Sequence, residues 1–362
     1  MTPKLALLMV GPLPPPSGGM ANQTRQLVRL LDGEGVETQL VQTNAPYVPA
    51  WISGVRGIRA VFRLLPYLWR LWRASRRAHV IHVMANSGWA WFLLAWPAIQ
   101  IGRWFRVPIL VNYRGGLARE FLAQHGARVV TSLRQVSLVV VPSGFLREVF
   151  GGHGISSIVI PNIVDLELFR PADARPCDSQ LLHIVVARNL EKIYGIDIAI
   201  RTCALLLEKF PGLKMSVAGS GPDRETLEKL SSDLDIQNRI HFTGRLDPEQ
   251  MAELYRSADL VINPSRADNM PNSVLEALAC GIPVVTTNVG GIPYMLQHGQ
   301  TAWFVVPDSP QALAAGVTHV LSHPDVQRHL RTEGLALAAS CGWARVKYQW
   351  LDAYQSIRIS GH

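Results

Sequence analysis

The sequence predicts an α/β protein of two doubly wound, Rossmann-like domains that face each other across a cleft. Three observations predict it. Short apolar runs alternate with helical patterns along the chain, a proline-marked aperiodic segment divides that alternation in two, and 362 residues exceed what one core usually serves.

The first domain opens on Lys4–Val10, a continuous apolar run that reads as a buried strand. The loop GPLPPPSGG follows, then a helix from Met20 to about Leu31. Val36–Val41, Val80–Val83, Ile109–Asn112, Leu138–Val141 and Ile158–Ile160 continue the strands, with helical stretches between them. Pro161–Pro176 carries neither period, which sets the first domain at 1–165 and a linker at 166–176. The second domain, 177–342, repeats the alternation. Strands are expected at His183–Ala187, Lys214–Ala218, Ile240–Phe242, Leu260–Asn263 and Val284–Thr286. Helices are expected near Gly195–Lys209, Asp223–Leu234, Asp247–Ser257, Asn272–Cys280 and Pro310–Ser322. A last helix over 343–358 is expected to pack back onto the first domain. In open α/β sheets ligands bind beyond the carboxyl ends of the strands, so the loops there are where chemistry is sought.

Composition excludes several classes. With 48% hydrophobic and 17% charged residues the chain is no disordered polymer. No run reaches the ~18 apolar residues of a membrane-spanning helix; the richest, Gly88–Gly102, is short and contains Pro97. The N-terminus has no small-residue cleavage site, so a cytoplasmic location is expected. Cys177, Cys203, Cys280 and Cys341 have neither metal nor disulfide spacing and read as small buried hydrophobes.

Charge is one-sided. Residues 1–170 carry +11 and residues 171–362 carry −3, which together make the formal +8. Between Glu37 and Glu120 there are eleven arginines and no acid, and seven of the ten tryptophans fall between Trp51 and Trp104. Arginine with interfacial tryptophan points to an anionic membrane surface rather than to nucleic acid. On a helical projection Arg56, Arg59, Arg63, Arg70, Arg73 and Arg77 share one arc, opposite Ile58, Val61, Phe62, Leu65, Leu68, Trp69 and Trp72. Residues 55–77 are therefore expected to meet the inner face of the membrane, with Pro66 kinking or dividing the helix.

Three motifs could carry chemistry. Ser17-Gly18-Gly19 lies between a strand and a helix, where glycine lets a phosphate or sugar approach the backbone; it is neither a dinucleotide fingerprint nor a P-loop. In ARNLEKIYG, Arg188 ends a strand and Lys192 precedes a helix, a natural clamp for a diphosphate and also a plausible solvated pair. In NPSRADNMPNSVLEALACGIPVV, Asp268 lies on a loop and Glu276 on the following helix, whose first amides, at Asn272 and Ser273, would face an anion. Pro271 suits that helix's first turn.

The last segment resembles the E-x7-E motif of the family-4 retaining glycosyltransferases, which have the GT-B fold. The resemblance extends to the SGG loop, VPSGFLREVF, PNIVDLELF, ARNLEKIYGID, VAGSGPDRETLEKL, RIHFTGRL, LYRSADLVINPS and LEALACGIPVVTTNVGG. It is far more specific in the second half than over residues 45–105. It implies that Arg188 and Lys192 bind the donor diphosphate, Glu276 the ribose hydroxyls and Asp268 the donor sugar. Gly18 and Gly19 would lie beside the phosphate, and Gly219, Gly221, Gly244 and Arg245 beside the nucleotide base.

Departures from the family pattern matter. Asp268 stands where glutamate is usual, and Tyr113-Arg114-Gly115-Gly116 replaces a His-Gly-Gly. Arginine cannot serve as a general base, so Arg114 is assigned a phosphate contact. Tyr294 and Ala302 depart likewise. His82, ending a strand near the expected cleft, is the acceptor-side candidate. Asp233-Leu234-Asp235 has the form of a metal motif but the setting of a helix surface; no metal and no cofactor beyond the nucleotide-diphospho-sugar co-substrate are implied. The expected activity is a retaining, metal-independent, hexosyltransferase-like transfer to a glycan, lipid-linked, in cell-surface or exopolysaccharide synthesis. The alternatives are a non-catalytic sugar-nucleotide-binding or scaffold subunit at the membrane, and a sugar-nucleotide epimerase.

Overall fold

The computed structural model describes residues 5–15, 18–47, 59–172 and 182–359. Ser17, Arg56, Ile58, Cys177 and the linker residues 173–176 lie outside that set. The chain forms two compact units, one of residues up to Ile163 together with those from Val346 onward, the other from Val164 to Arg345.

The first unit holds a parallel sheet of β1 (Ala6–Gly11), β2 (Glu37–Gln42), β3 (Val80–Ala85), β4 (Ile109–Tyr113), β5 (Leu138–Val141) and β6 (Ile158–Val159), in the order β2-β1-β3-β4-β5-β6. Its helices are α1 (Gly19–Gly33), α2 (Arg59–Ser75), α3 (Trp96–Trp104), α4 (Ala118–Leu133) and α5 (Gly144–Gly151). The two-residue period of each strand divides the core between the sheet's two faces. Ile81 and Val83 join Tyr67, Leu71 and Ala74 of α2 and Ala98 and Ile99 of α3 in one cluster. His82, between them, points to the opposite face. The C-terminal helix of the chain packs there, with Trp350 stacked on His82 at 5.0 Å between ring centroids.

The second unit repeats the plan. Its strands are β7 (His183–Ala187), β8 (Lys214–Ala218), β9 (Ile240–Gly244), β10 (Leu260–Asn263), β11 (Val284–Thr287) and β12 (Trp303–Val305), ordered β12-β11-β10-β7-β8-β9. Its helices are α6 (Ile196–Leu207), α7 (Arg224–Asp233), α8 (Pro248–Ser257), α9 (Asn272–Ala279), α10 (Ile292–Met295), α11 (Pro310–Ser322) and α12 (Pro324–Ser340); the C-terminal helix is α13 (Trp343–Ile359). Ile184 and Val186 face the α6–α11 layer, while Val185 faces the layer of α8 and α9. Cys203, Cys280 and Cys341 are buried and free.

The expected α/β class and the two parallel sheets are therefore found, and three details are corrected. Residues 164–169, read as the boundary and start of a linker, are core: Val164 and Phe169 are buried with Tyr255, and the Val164 amide donates to the Cys341 carbonyl at 3.1 Å. β12 and α12 were not expected; β12 is three residues long, too short for a period to register. Pro66 does not divide α2; it and Phe62, whose carbonyl it deprives of an amide partner, are both exposed. In the Gly88–Gly102 stretch, Trp91–Ala95 forms a wide π-type turn: the Trp96 amide donates to the Trp91 carbonyl, and Pro97 follows with no N–H to give.

Candidate active site

The chemistry predicted for the second half gathers at the carboxyl edge of the β7–β12 sheet. Arg188 is the first residue past β7. Its Nε donates to Asn263 Oδ1 at 3.0 Å at the end of β10, and its guanidinium forms an ion pair with Asp268. The Arg188 guanidinium carbon sits 4.9 Å from the Tyr194 ring centroid. Arg188 and Asp268 are both largely buried, their side chains 12% and 11% exposed. Burial pulls the Arg188 pKa below its ordinary value, and Tyr194, Tyr255 and Glu276 oppose that shift.

Glu276 comes in from α9, its Oε2 accepting from the Tyr255 hydroxyl at 3.3 Å. Burial raises its pKa to about 7, against the opposing influence of the Tyr255 hydrogen bond and the Arg188 cation. The site thus holds one cation, one paired carboxylate and one carboxyl poised near neutrality. Groups with such displaced pKa values, gathered at a sheet edge, mark functional sites more often than structural ones.

Glycines let the neighbouring loops pack closely on the backbone of Arg188 and Asp268. Gly219 sits at φ +146°, and a Cβ there would collide with the Arg188 carbonyl; its amide instead donates to the Gly244 carbonyl at 2.8 Å. Gly221 packs in the same way against Leu190, whose amide donates to the Ser220 carbonyl at 3.2 Å. Gly290, at φ +53°, lies equally close to the Asp268 carbonyl and fixes the loop that carries the carboxylate. Lys192 begins a short 3-10 turn, exposed, on the loop next to Arg188; Gly244 ends β9 and exposed Arg245 follows it. Asn272 and Ser273 are the first two residues of α9, with Pro271 as the N-cap just outside the helix rather than within its first turn.

Several participants went unnoticed in the sequence. Asn263, Ser265, Thr286 and Thr287 form a buried network beneath Arg188: Ser265 Oγ donates to Asn263 Oδ1 at 2.9 Å, and Asn263 Nδ2 to Thr286 Oγ1 at 3.0 Å. Arg266 grips the loops from outside. Its Nη1 and Nη2 donate to the two Asp197 oxygens at 2.9 and 2.8 Å, its Nε to Asp308 Oδ1 at 2.6 Å, and Nη1 also to the Lys192 carbonyl. A local signal existed for these polar residues at strand ends, namely their place in NPSRAD and VVTTN, but nothing in the sequence indicated their partners.

In the first unit the predicted residues separate. Gly18 caps α1 with extended backbone, and nothing lies within 4 Å of where its Cβ would be; Gly19 begins the helix. Arg114 follows β4; its amide donates to the Ala85 carbonyl at 3.0 Å and its guanidinium to buried Asn162. Burial brings its pKa down to about 10. His82 is corrected. It is fully buried within β3, its Nδ1 2.8 Å from the Tyr354 hydroxyl, and burial holds its pKa down at about 3 with Arg114 adding to the shift. The ring anchors α13 and is not open to a substrate.

Asp233 and Asp235 are exposed at the end of α7, as a helix surface requires. Among the described residues no group of three or more His, Cys, Asp or Glu is placed to hold a metal ion. No helix among them is long and apolar enough to cross a membrane.

Residues 176–335 match the family model of glycosyl transferases group 1, and residues 17–168 match that of glycosyltransferase family 4. A D-inositol 3-phosphate glycosyltransferase of Segniliparus rotundus is 27% identical over 250 residues, covering 66% of this chain and 56% of the relative. The chain thus spans little more than half the length of that relative. Sucrose-phosphate synthase from Thermosynechococcus elongatus superposes with a TM-score of 0.77 at 19% identity, covering 99% of this chain and 100% of the other. The Anabaena protein HepE, in complex with UDP and glucose, gives 0.73 at 17%, covering 97% and 99%. The fold is GT-B, two Rossmann-like domains.

Proposed function

The chain belongs to the glycosyltransferases, and we propose that it transfers a sugar from a nucleotide-diphospho-sugar, with retention and without a metal ion, to a lipid-linked glycan in cell-surface polysaccharide synthesis. On this reading it works at the cytoplasmic face of an anionic membrane. The observation that carries the donor assignment is Arg188: a buried guanidinium at the carboxyl edge of a parallel sheet, with the Gly219–Gly221 loop packed against its backbone and Glu276 within its field.

The division of labour follows from charge. The bond from the sugar's anomeric carbon to the diphosphate breaks, and negative charge grows on the departing phosphate oxygen. Arg188, Lys192 and the first amides of α9 would receive it, which stabilises the transition state more than the ground state. Fixed cations can take the part a divalent ion plays elsewhere. Glu276, ionised once its hydroxyl partners arrive, accepts hydrogen bonds from the ribose. Asp268 meets the sugar hydroxyls after leaving Arg188, so donor binding exchanges one partner of the guanidinium for another.

UDP-sugars are the first probes, because the fold neighbour from Anabaena is complexed with UDP. A thermal-shift screen over nucleotide-sugars should give a stabilising hit; ligand at 100 times its dissociation constant adds about 2.7 kcal/mol. Incubation of the hit with lipid-linked glycans, and proton NMR of the product's anomeric configuration, then tests transfer and retention. An inverted product ends the retaining mechanism. A hit with no transfer to any glycan favours the binding-subunit alternative, which the Arg188–Asp268 pairing independently supports.

A further inference from the structure

The helix expected to meet a membrane is built differently from its helical projection. α2 buries Tyr67, Leu71 and Ala74, and packs Leu64 and Leu68 against the same cluster. Most of the apolar stripe that the projection singled out faces solvent: Val61, Phe62, Leu65 and Trp69 are 50%, 45%, 61% and 62% exposed. Of the arginines in the projected arc, Arg63 lies over the Tyr47 ring at 4.1 Å, while Arg70, Arg73 and Arg77 are exposed.

The neighbouring helix does the same. α3 sends Ala98 and Ile99 into the cluster that takes Tyr67 and Leu71, so the outer sides of both helices lie over one face of the first sheet. Trp96 and Trp104 on that outer side are 48% and 74% exposed. The two helices meet at the Trp72–Trp104 ring contact, 6.1 Å between centroids, and the Tyr67 hydroxyl donates to the Leu94 carbonyl, in the turn just before α3, at 2.6 Å. Arg103 and Arg106 are exposed beside Trp104, and Arg76 lies 6.0 Å from the Trp72 ring.

We propose that the outer surface of α2 and α3 is an interfacial docking site for an anionic lipid bilayer. Its aromatic and aliphatic side chains, led by Leu65, Trp69 and Trp104, enter the boundary between headgroups and acyl chains, and the surrounding arginines pair with lipid phosphates. This rests on the membrane reading above and deepens it, by naming the surface and by making apolar insertion, not charge alone, the source of retention. Large exposed apolar side chains grouped on one face mark an interaction surface. Tryptophan and arginine together suit the layer where apolar and phosphate chemistry meet. Charge chooses lipid over a second copy of the chain: no acid occurs from Thr38 to Arg119, so an isologous contact would set arginine against arginine.

Co-sedimentation with phosphatidylcholine–phosphatidylglycerol vesicles tests it, with light scattering for oligomeric state and nucleotide-sugar thermal shift as a parallel readout. Wild type should bind mixed vesicles at least tenfold better than phosphatidylcholine alone and keep part of that binding at high salt. The triple variant Leu65→Ser, Trp69→Ser, Trp104→Ser should lose the salt-resistant part, and Arg70→Glu with Arg73→Glu the low-salt advantage, both with unchanged thermal shifts. No binding by wild type, or equal binding by the triple variant, overturns the docking surface. A dimer that Trp104→Ser dissolves would also overturn it, in favour of self-association. Vesicle binding with transfer only to soluble glycans would leave the surface standing and refute the lipid-linked acceptor.

Discussion

The guanidinium of Arg188 is paired with the carboxylate of Asp268, although the two belong to separate segments, each expected to face the donor. The pairing follows from a short side chain. Asp268 lies on a loop pinned by Gly290 and Gly291, the Gly291 amide donating to the Asp268 carbonyl at 2.9 Å, and an aspartate on that fixed backbone reaches the cation beside it.

Asp268 therefore competes with the diphosphate for Arg188. In Asp268→Asn the guanidinium loses its resident anion, and a nucleoside diphosphate lacking the sugar should bind several-fold more tightly, measured by isothermal titration calorimetry. Sugar transfer should fall in the same variant, because the hydroxyl acceptor is weakened. Tighter diphosphate binding with undiminished transfer would remove Asp268 from the sugar and leave it a regulator of Arg188 alone.

Glu276 gives a pH signature. Folding raises its pKa from 4.5 to about 7, so between those values the folded chain binds more protons than the unfolded one and stability declines as pH rises. Above pH 7 the full cost applies, roughly 3 kcal/mol at ~1.36 kcal/mol per unit. Glu276→Gln removes that cost. The variant should melt several degrees above wild type at pH 8 and converge with it near pH 4, while its donor affinity falls about tenfold or more for loss of a charged hydrogen-bond acceptor. Equal melting temperatures at pH 8 would show that Glu276 is solvated, not buried.

The extent to which this site could be read from sequence divides along a physical line. Strand runs such as His183–Ala187 and helix starts such as that near Asp247, whose side chain the structure shows accepting from the Gln250 amide at 2.8 Å, are local and were legible. The motifs singled out Arg188, Asp268 and Glu276 as candidates, yet the Arg188–Asp268 ion pair was not legible, since it depends on how two loops meet at one sheet edge. His82 failed for a related reason. A histidine near a strand's carboxyl end looks available until α13 returns from the far end of the chain to cover it. The faces of α2 were misread because a helical projection separates apolar from charged residues and cannot say which apolar stripe the sheet takes.

Arg266 is predicted to position Lys192 without touching substrate. Arg266→Ala frees the Lys192 carbonyl, the N-terminus of α6 and Asp308 together, and should raise the donor KM and lower kcat, each by about tenfold. Arg266→Lys should not rescue, since a single ammonium cannot span the Asp197 carboxylate and two further acceptors. Burial alone would raise the Asp197 pKa, but Arg266 holds it below its ordinary value. That contribution to stability is present above the unfolded pKa and is lost as pH falls through the folded one. Wild type and Arg266→Ala should thus differ in melting temperature at pH 7 and converge in acid. Full activity in Arg266→Lys would refute the clamp.

The last prediction isolates the first unit. Tyr354 reaches from α13 to His82 Nδ1 at 2.8 Å, in a layer where His82, Trp350 and Tyr354 are all buried and where His82 Nε2 finds no partner among the described residues. Removing the hydroxyl leaves both imidazole nitrogens unpaired in an apolar setting, and a buried polar group so orphaned costs about 1–3 kcal/mol. Neutral His82 cannot escape by protonation, since burial holds its pKa near 3. Tyr354→Phe should therefore lower the melting temperature by several degrees, uniformly from pH 5 to pH 8, with donor affinity unchanged because Arg188, Asp268 and Glu276 belong to the other unit. Restoring an apolar pair with His82→Leu in the Tyr354→Phe background should recover part of the loss, since replacing both partners removes the unpaired group. Melting curves across that double-mutant cycle decide it: no loss in Tyr354→Phe, or no recovery in the double variant, would mean that α13 is held by the Trp350 stack alone.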